Sequence, residues 1–246
     1  MISSRPRLAL VAVLAAVALG ATACTSTTDG TLAGRASGSG SPAPSGSGPD
    51  FESPLSSLVL TAADLPSDWE SSGGTSTGGS PTDDTDLASC FGQASASGTT
   101  SLDSPEFDKD SDDGSAEITS SVTRYASDAD MQSDLALFTG SKAATCFAEY
   151  LDKTVKSDVP AGATAGKTHA SVTHGSGNGP SNVKAVLGFT VTLTATGVSV
   201  TVTASITFIT GPRLLAELTT ISVPTTFPDD VLSAAISKLA GRLAKG

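Results

Sequence analysis

The chain has 246 residues, which is enough for one domain of ordinary size with appended segments. It is acidic: 14 Lys and Arg residues stand against 25 Asp and Glu residues, giving a formal net charge of −11 at pH 7. This balance argues against nucleic acid as a partner, because that binding depends on Lys and Arg neutralising phosphates. Hydrophobic residues make up 38% of the chain, too many for a chain that is disordered throughout.

The beginning of the chain predicts an export signal peptide. Arg5 and Arg7 form a positive n-region, an apolar h-region follows at 8–20, and the small residues at 21–23 suit a peptidase cleavage site. The apolar run is shorter than the roughly 20 residues that a membrane-spanning helix needs. We therefore expect residues 1–23 to be removed on export, and a retained anchor is the alternative.

Cys24 follows the cleavage site directly, and the segment 21–24 resembles the lipobox of bacterial lipoproteins. In that family the cysteine sulfur receives a diacylglyceryl group and becomes the new N-terminus. The resemblance implies anchoring on the outer face of the cell membrane, since two or more acyl chains bind a membrane stably. A plain secreted protein with an unmodified Cys24 is the alternative.

The number of cysteines supports lipidation. An exported protein tends to pair its thiols, because the outside of a cell is oxidising. Cys90 and Cys146 both lie in the part that we predict to fold, so we predict a disulfide between them. Cys24 is then left without a partner, and lipidation explains why an exported chain keeps it.

A tether and a single domain follow the lipidated cysteine. Residues 24–54 are rich in Ser, Gly, Thr, Pro and Ala and have no apolar periodicity. They have no face to bury, so we expect a disordered spacer that leads into one domain at 55–246. Within the domain, the Gly/Ser/Thr-rich stretch 71–85 and the acidic stretch 95–114 are predicted to be solvated loops.

The first half of the domain predicts short helices and one strand. In chain order these are a capped turn at 61–64, a helix over 84–91, a strand over 117–126, and two helices capped by Ser127 and Ser141. Cys90 falls on the first of these helices and Cys146 on the last.

The alternation of apolar residues and threonines over 183–208 predicts a long antiparallel hairpin. Apolar residues occupy odd positions up to Ala195 and even positions from Val198 onwards. A two-residue turn at 196–197 therefore places Ala195 opposite Val198 and keeps apolar residues opposite each other further out. One face of the hairpin is predicted to be buried.

Strands are also predicted over 167–174 and 214–223, and Pro228 opens a final amphipathic helix. Together the elements predict an α+β fold: an antiparallel meander sheet with helices packed on one face and one disulfide. We expect a monomer.

The sequence contains no convincing catalytic or metal-binding pattern. His169 and His174 are the only histidines, and a spacing of five places them on opposite faces of a strand. The G-x-S-x-G pattern at 74–78 lies in low-complexity sequence, without the strand-to-helix turn that a nucleophile elbow requires. We predict no catalytic residues, no metal site and no cofactor. A hydrolase that uses one of the histidines is the alternative.

The acidic segment 108–114 resembles the start of an EF-hand calcium loop. Asp113 stands at the sixth position, where the loop needs Gly, and Thr119 stands at the twelfth, where it needs Glu. We therefore expect a solvated acidic loop, and weak calcium binding is the alternative.

The chain resembles cell-envelope lipoproteins of actinobacteria. The resemblance lies in the leader ending in Cys24, the tether, the segment LTAADLPSDW at 60–69 and the cysteine pair. The layout of the mature domain is similar to the extracellular sensor-type domains of mycobacterial receptor Ser/Thr kinases. The resemblance implies a disulfide-stapled sheet with helices and a cleft. The function it implies is non-catalytic binding of an envelope ligand: a small molecule, a lipid or a glycan. A lipid or glycolipid carrier and a module that binds a protein partner are the alternatives.

We expect the native protein to lack residues 1–23 and to carry acyl groups on Cys24. Intact-mass spectrometry, with and without a reductant, measures both changes. Reduction should add the mass of two hydrogens if Cys90 and Cys146 are paired. A full-length, unmodified polypeptide recovered from the cytosol without detergent would contradict the predicted location on the outer face of the membrane.

Overall fold

The computed structural model describes residues 54–76, 85–92, 99–159, 163–175, 179–195 and 197–245. The predicted signal peptide, Cys24 and all of the tether except Pro54 lie outside these residues. Within the described part, no helix is both long enough and apolar enough to cross a membrane.

The described part contains nine strands and four α-helices. In chain order they are β1 Glu70–Ser72, α1 Thr85–Phe91, β2 Thr100–Asp103, β3 Glu106–Ser111, β4 Gly114–Arg124, α2 Asp128–Thr139, α3 Ala143–Asp158, β5 Ala163–Ala165, β6 His169–His174, β7 Val183–Ala195, β8 Val198–Gly211, β9 Leu214–Val223 and α4 Asp229–Leu243. Two 3-10 turns, Leu55–Ser57 and Ala62–Asp64, precede β1.

All nine strands form one antiparallel sheet, in the order β1-β3-β4-β9-β8-β7-β5. β2 pairs with β4 beyond the end of β3, and β6 pairs with β7 beyond the end of β5. The predicted hairpin register is confirmed, with Ala195 opposite Val198 and Val191 opposite Val202. The meander order holds for β7, β8 and β9. β9 then pairs along its length with β4, which joins the two halves of the sheet.

The α+β class and the antiparallel sheet are confirmed, but helices cover both faces of the sheet and not one face as predicted. On β9, Leu215 packs with the cluster formed by α1, α2 and α3, whereas Leu214 and Ala216 pack with α4. Adjacent residues of a strand point to opposite faces, so β9 is buried on both sides. The pattern of α4 showed that it has a buried face, but not which face of the sheet would receive it.

The stretch 95–114 was predicted to be a loop, and the structure shows that it contains β2 and β3. Phe107 is the buried residue of β3; it lies opposite Ile118 of β4 and packs on the α4 side of the sheet. The strand pattern is hard to recognise around Phe107. Several neighbouring charged residues occupy positions on a core-facing side of the strand, where an apolar residue is expected.

Two predicted helix starts differ in outcome. Ser127 caps α2 as predicted, with its hydroxyl oxygen accepting a hydrogen bond from the Asp130 backbone N–H at 3.2 Å. Ser141 does not cap α3, which begins after Lys142 without a side-chain cap. Because α3 starts without a cap, its position depends on packing against the sheet.

Cys90 of α1 and Cys146 of α3 form the predicted disulfide, with their Cα atoms 5.6 Å apart. α1 has only seven residues, too few for a helix to be stable alone in water. The disulfide holds α1 beside α3, and the Phe91 ring then lies 5.9 Å from the Phe147 ring. The disulfide therefore fixes α1 as part of the hydrophobic core on this side of the sheet.

A partly buried ion pair attaches the N-terminal segment to α4. Arg242 donates hydrogen bonds to Oδ1 of the buried Asp64 and to the Val59 carbonyl oxygen, the latter at 2.9 Å. The Thr61 backbone N–H donates to Oδ2 of Asp64 at 2.9 Å. Burial raises the pKa of Asp64, but the hydrogen bonds from Arg242 and Thr61 outweigh it and hold the pKa below its ordinary value.

We expect Arg242→Met to lower the free energy of unfolding by about 2–4 kcal/mol near neutral pH, because it leaves Asp64 buried without its guanidinium. The lowered pKa of Asp64 makes its contribution present above the unfolded pKa and lost as pH falls. The loss caused by Arg242→Met should therefore shrink in acid. Urea unfolding at neutral pH and near pH 3, followed by Trp69 fluorescence, measures this. Lys245→Met, at an exposed position beyond α4, is the control, and an equal loss at both pH values would contradict the prediction.

Candidate ligand-binding site

A cavity of about 250 Å³ lies between α3 and the sheet, on the face that α1, α2 and α3 cover. Its lining divides into an apolar half and an acidic half. The apolar half comes from α3, β7, β8 and β9, and its residues are Phe147, Leu151, Val155, Phe189, Val191, Val202, Ala204, Ile206 and Ile221.

The apolar half consists of hairpin residues that the sequence predicted to be core. Val191 and Val202 lie opposite each other, as do Phe189 and Ala204. Val202 and Ala204, with their short side chains, line the cavity between this face of the hairpin and α3. The alternation of β7 and β8 therefore predicted the direction of these side chains, but not the empty volume in front of them.

Four carboxylates line the acidic half: Asp103, Glu106, Glu117 and Glu217. No Lys, Arg or His is among the described residues that line the cavity. The carboxylates make this half unfavourable for an anion and favourable for a cation or for a hydrogen-bond donor. The cavity thus presents an apolar surface at one end and an acceptor-rich surface at the other.

Glu217 lies on β9 opposite Ser121 of β4. It is half-buried, and burial is the largest cause that raises its pKa to about 8, with smaller contributions from Asp103 and Asp134. At neutral pH its carboxyl group is therefore mostly protonated. In that form it can both donate and accept a hydrogen bond in the cavity.

Glu117 is 6% exposed and lies opposite Asp108 on β3. Burial is again the largest cause that raises its pKa to about 8, followed by the charges of Glu106 and Asp108. One carboxylate oxygen from each of these three residues lies within 4.8 Å of the others. Glu106, Asp108 and Glu117 are the group of described residues with the geometry to hold a metal ion.

Neither histidine belongs to this site. His169 and His174 are exposed on β6 and do not line the cavity. Ser76, from the G-x-S-x-G pattern, lines the rim and pairs with Asp103 through two backbone hydrogen bonds, from Ser76 N at 3.3 Å and from Asp103 N at 2.8 Å. The end of that pattern, residues 77–78, lies outside the described residues.

Neither Glu117 nor Glu217 is predicted from the sequence as a site residue. Both lie in segments that were predicted to be strands, 117–126 and 214–223, and Glu217 interrupts an apolar run. A carboxylate at such a position could have marked a candidate site, because Glu is almost never fully buried unless it is paired.

The chain matches no known protein family, and no curated protein matches it. Among solved structures, it is similar to the crystal structure of the extracellular domain of PknH from Mycobacterium tuberculosis. The identity is 9% and the TM-score 0.36, over 78% of this chain and 95% of that chain. A similarity this low transfers no function to this chain.

We expect Glu217→Gln to reduce the loss of stability at alkaline pH. The folded pKa of Glu217, about 8, lies above the ordinary value of 4.5. Its contribution is therefore complete below about pH 4.5 and is lost as pH rises through 8. Relative to the wild type, the variant should gain about 1–3 kcal/mol between mildly acidic and mildly alkaline pH.

Thermal or urea unfolding at about pH 5 and about pH 8.5 measures this difference. Glu149→Gln, at an exposed position on α3, is the matched control and should leave the pH profile unchanged. Parallel profiles for the wild type and Glu217→Gln would show that burial of Glu217 imposes no such cost.

Proposed function

We propose that this protein is an exported, lipid-anchored binding module without catalytic activity, and that it binds a small amphipathic molecule in the cavity below α3. The two-part lining of the cavity is the observation that carries the binding proposal. The predicted signal peptide, the lipobox-like segment at Cys24 and the tether support the location on the outer face of the membrane.

The volume of the cavity favours a small molecule. At about 250 Å³ it is slightly smaller than typical small-molecule pockets, which enclose roughly 300–1,000 Å³. A carrier of lipids or glycolipids would need room for long acyl chains. The volume therefore favours the small-molecule function over the carrier, and over a long glycan, which needs an extended groove.

The chemistry of the lining favours a neutral or cationic ligand. Phe147 and Phe189 offer ring surface to an apolar group, and their ring centroids are 5.8 Å apart. Asp103 and Glu217 offer acceptor oxygens to hydrogen-bond donors at the other end. An anionic ligand would meet four carboxyl groups and no basic side chain among the described lining residues.

The position of the histidines supports a non-catalytic role. A hydrolase that used His169 or His174 as its base would need that residue within hydrogen-bond reach of the bound substrate. Both lie on β6, and neither reaches the cavity lining. Any hydrolytic activity that survived replacement of both histidines would exclude this alternative mechanism.

Two matched dyes test the proposed function. N-phenylnaphthylamine is neutral, and anilinonaphthalene sulfonate has the same ring system with an added anionic group. We expect the neutral dye to bind saturably with increased fluorescence and the sulfonate to bind at least about tenfold more weakly, a difference of about 1.4 kcal/mol. Equal affinity for the two dyes would contradict the acidic site.

A cavity-filling variant ties the binding to this cavity. Ala204→Phe places a ring in the apolar half, so we expect it to weaken binding of the neutral dye at least about tenfold, with a cost to folding of about 1–3 kcal/mol. Thr201→Phe is the control, because Thr201 lies exposed on the same strand, outside the cavity lining. Unchanged dye affinity in Ala204→Phe would place the dye elsewhere.

A further inference from the structure

The strands beside the acidic half of the cavity carry carboxylates in direct register. Glu70 of β1 lies opposite Asp108 of β3, and Asp108 lies opposite Glu117 of β4. Glu106 precedes Asp108 by two residues and therefore lies on the same face of the sheet. Like charges directly opposite each other destabilise a sheet. The folded chain nevertheless brings oxygens of Glu106, Asp108 and Glu117 within 4.8 Å of one another.

Glu117 distinguishes this group from an ordinary acidic surface. It is 6% exposed, and its side chain lines the cavity. Among the described residues no hydrogen-bond donor reaches it, and the charges that act on it come from Glu106 and Asp108. A buried carboxylate without a donor or a cation is costly, so either a proton or a bound cation would stabilise this group.

The neighbouring lysine does not neutralise the group. Lys109 follows Asp108 on β3, so its side chain leaves the opposite face of the strand. Its ammonium group pairs with Asp68 at 2.6 Å. Asp108 instead accepts a hydrogen bond from the Ser72 hydroxyl at 3.2 Å, which orients the carboxylate without neutralising it.

We propose that Glu106, Asp108 and Glu117 together bind one divalent cation, with calcium preferred. An all-oxygen set of ligands favours hard cations. Calcium takes six to eight oxygen ligands in a flexible geometry, and three carboxylates supply three to six of them. The adjoining cavity gives water access to the remaining positions. Magnesium requires a near-ideal octahedral arrangement of its ligands. Carboxylates that are fixed on two paired strands cannot easily adjust to that geometry.

This site differs from the EF-hand resemblance of the sequence. It uses Asp108, the first residue of that segment, but Glu106 and Glu117 come from β3 and β4 and not from later positions of a loop. Asp112 lies exposed in the turn between these strands. The proposal replaces our expectation that the chain has no metal site, and it does not depend on the small-molecule ligand.

Calcium titration of the full mature chain, purified in detergent and freed of metal with a chelator, tests the site. We expect isothermal titration calorimetry to show one calcium ion per chain with a Kd of roughly 10⁻⁴–10⁻³ M. Calcium at about ten times the Kd should raise the Tm by about 3–6 °C. Magnesium should give a smaller shift, and sodium chloride of equal ionic strength should give none.

Glu117→Gln removes the central ligand with little change in shape and should abolish both the binding heat and the Tm shift. Asp112→Asn is the matched control, because it removes one acidic charge from the same hairpin outside the group; it should keep both. If Glu117→Gln does not fold, Asp108→Asn replaces it with the same expected losses. The proposal is overturned if the wild type shows no binding, if the ligand variants bind as well as the wild type, or if sodium chloride reproduces the shift.

Discussion

The pairing of β4 with β9 is the interaction on which the rest of this structure depends. Ten residue pairs join the two strands, and through them the early strands β1, β2 and β3 become part of the sheet that β7, β8 and β9 build. Because side chains alternate along both strands, this register places Glu117 and Glu217 on one face and Ile118 and Leu218 on the other. The same face of the sheet then carries the acidic half and the apolar half of the cavity.

The cavity lies between two regular elements, the hairpin and α3, which leave space where they face each other. The hairpin supplies a continuous apolar face, and α3 covers it, held in place by packing and by the disulfide to α1. Val202 and Ala204 of the hairpin and Val155 of α3 line the space that remains between them. An empty apolar volume and buried carboxylates both reduce stability. The empty volume and the buried carboxylates therefore make this cavity a destabilised region of the fold, which is common at binding sites.

The buried carboxylates connect the electrostatics of the fold with its proposed function. Protonation, a bound cation or a donor group on a ligand each lowers the free energy of the same half of the cavity. Burial, followed by the charges of neighbouring acids, raises the pKa values of Glu117 and Glu217 to about 8. Asp64 shows the opposite arrangement, since Arg242 pairs with it and its pKa is lowered. The contrast indicates that the chain neutralises a buried acid where it serves structure and leaves it without a basic partner at the cavity.

The sequence by itself determined the local features: the hairpin register, the strand at 214–223, the helices over 84–91 and after Ser127, and the disulfide partners. Periodicity, capping and cysteine number are properties of nearby residues or of simple counting, and they survive without knowledge of the fold. Only the tertiary structure decided that α4 covers the second face of the sheet, that residues around Phe107 form a strand, and that Glu106, Asp108 and Glu117 meet. Those features depend on the pairing of β4 with β3 and β9, and long-range strand pairing leaves no periodic signal in either strand alone.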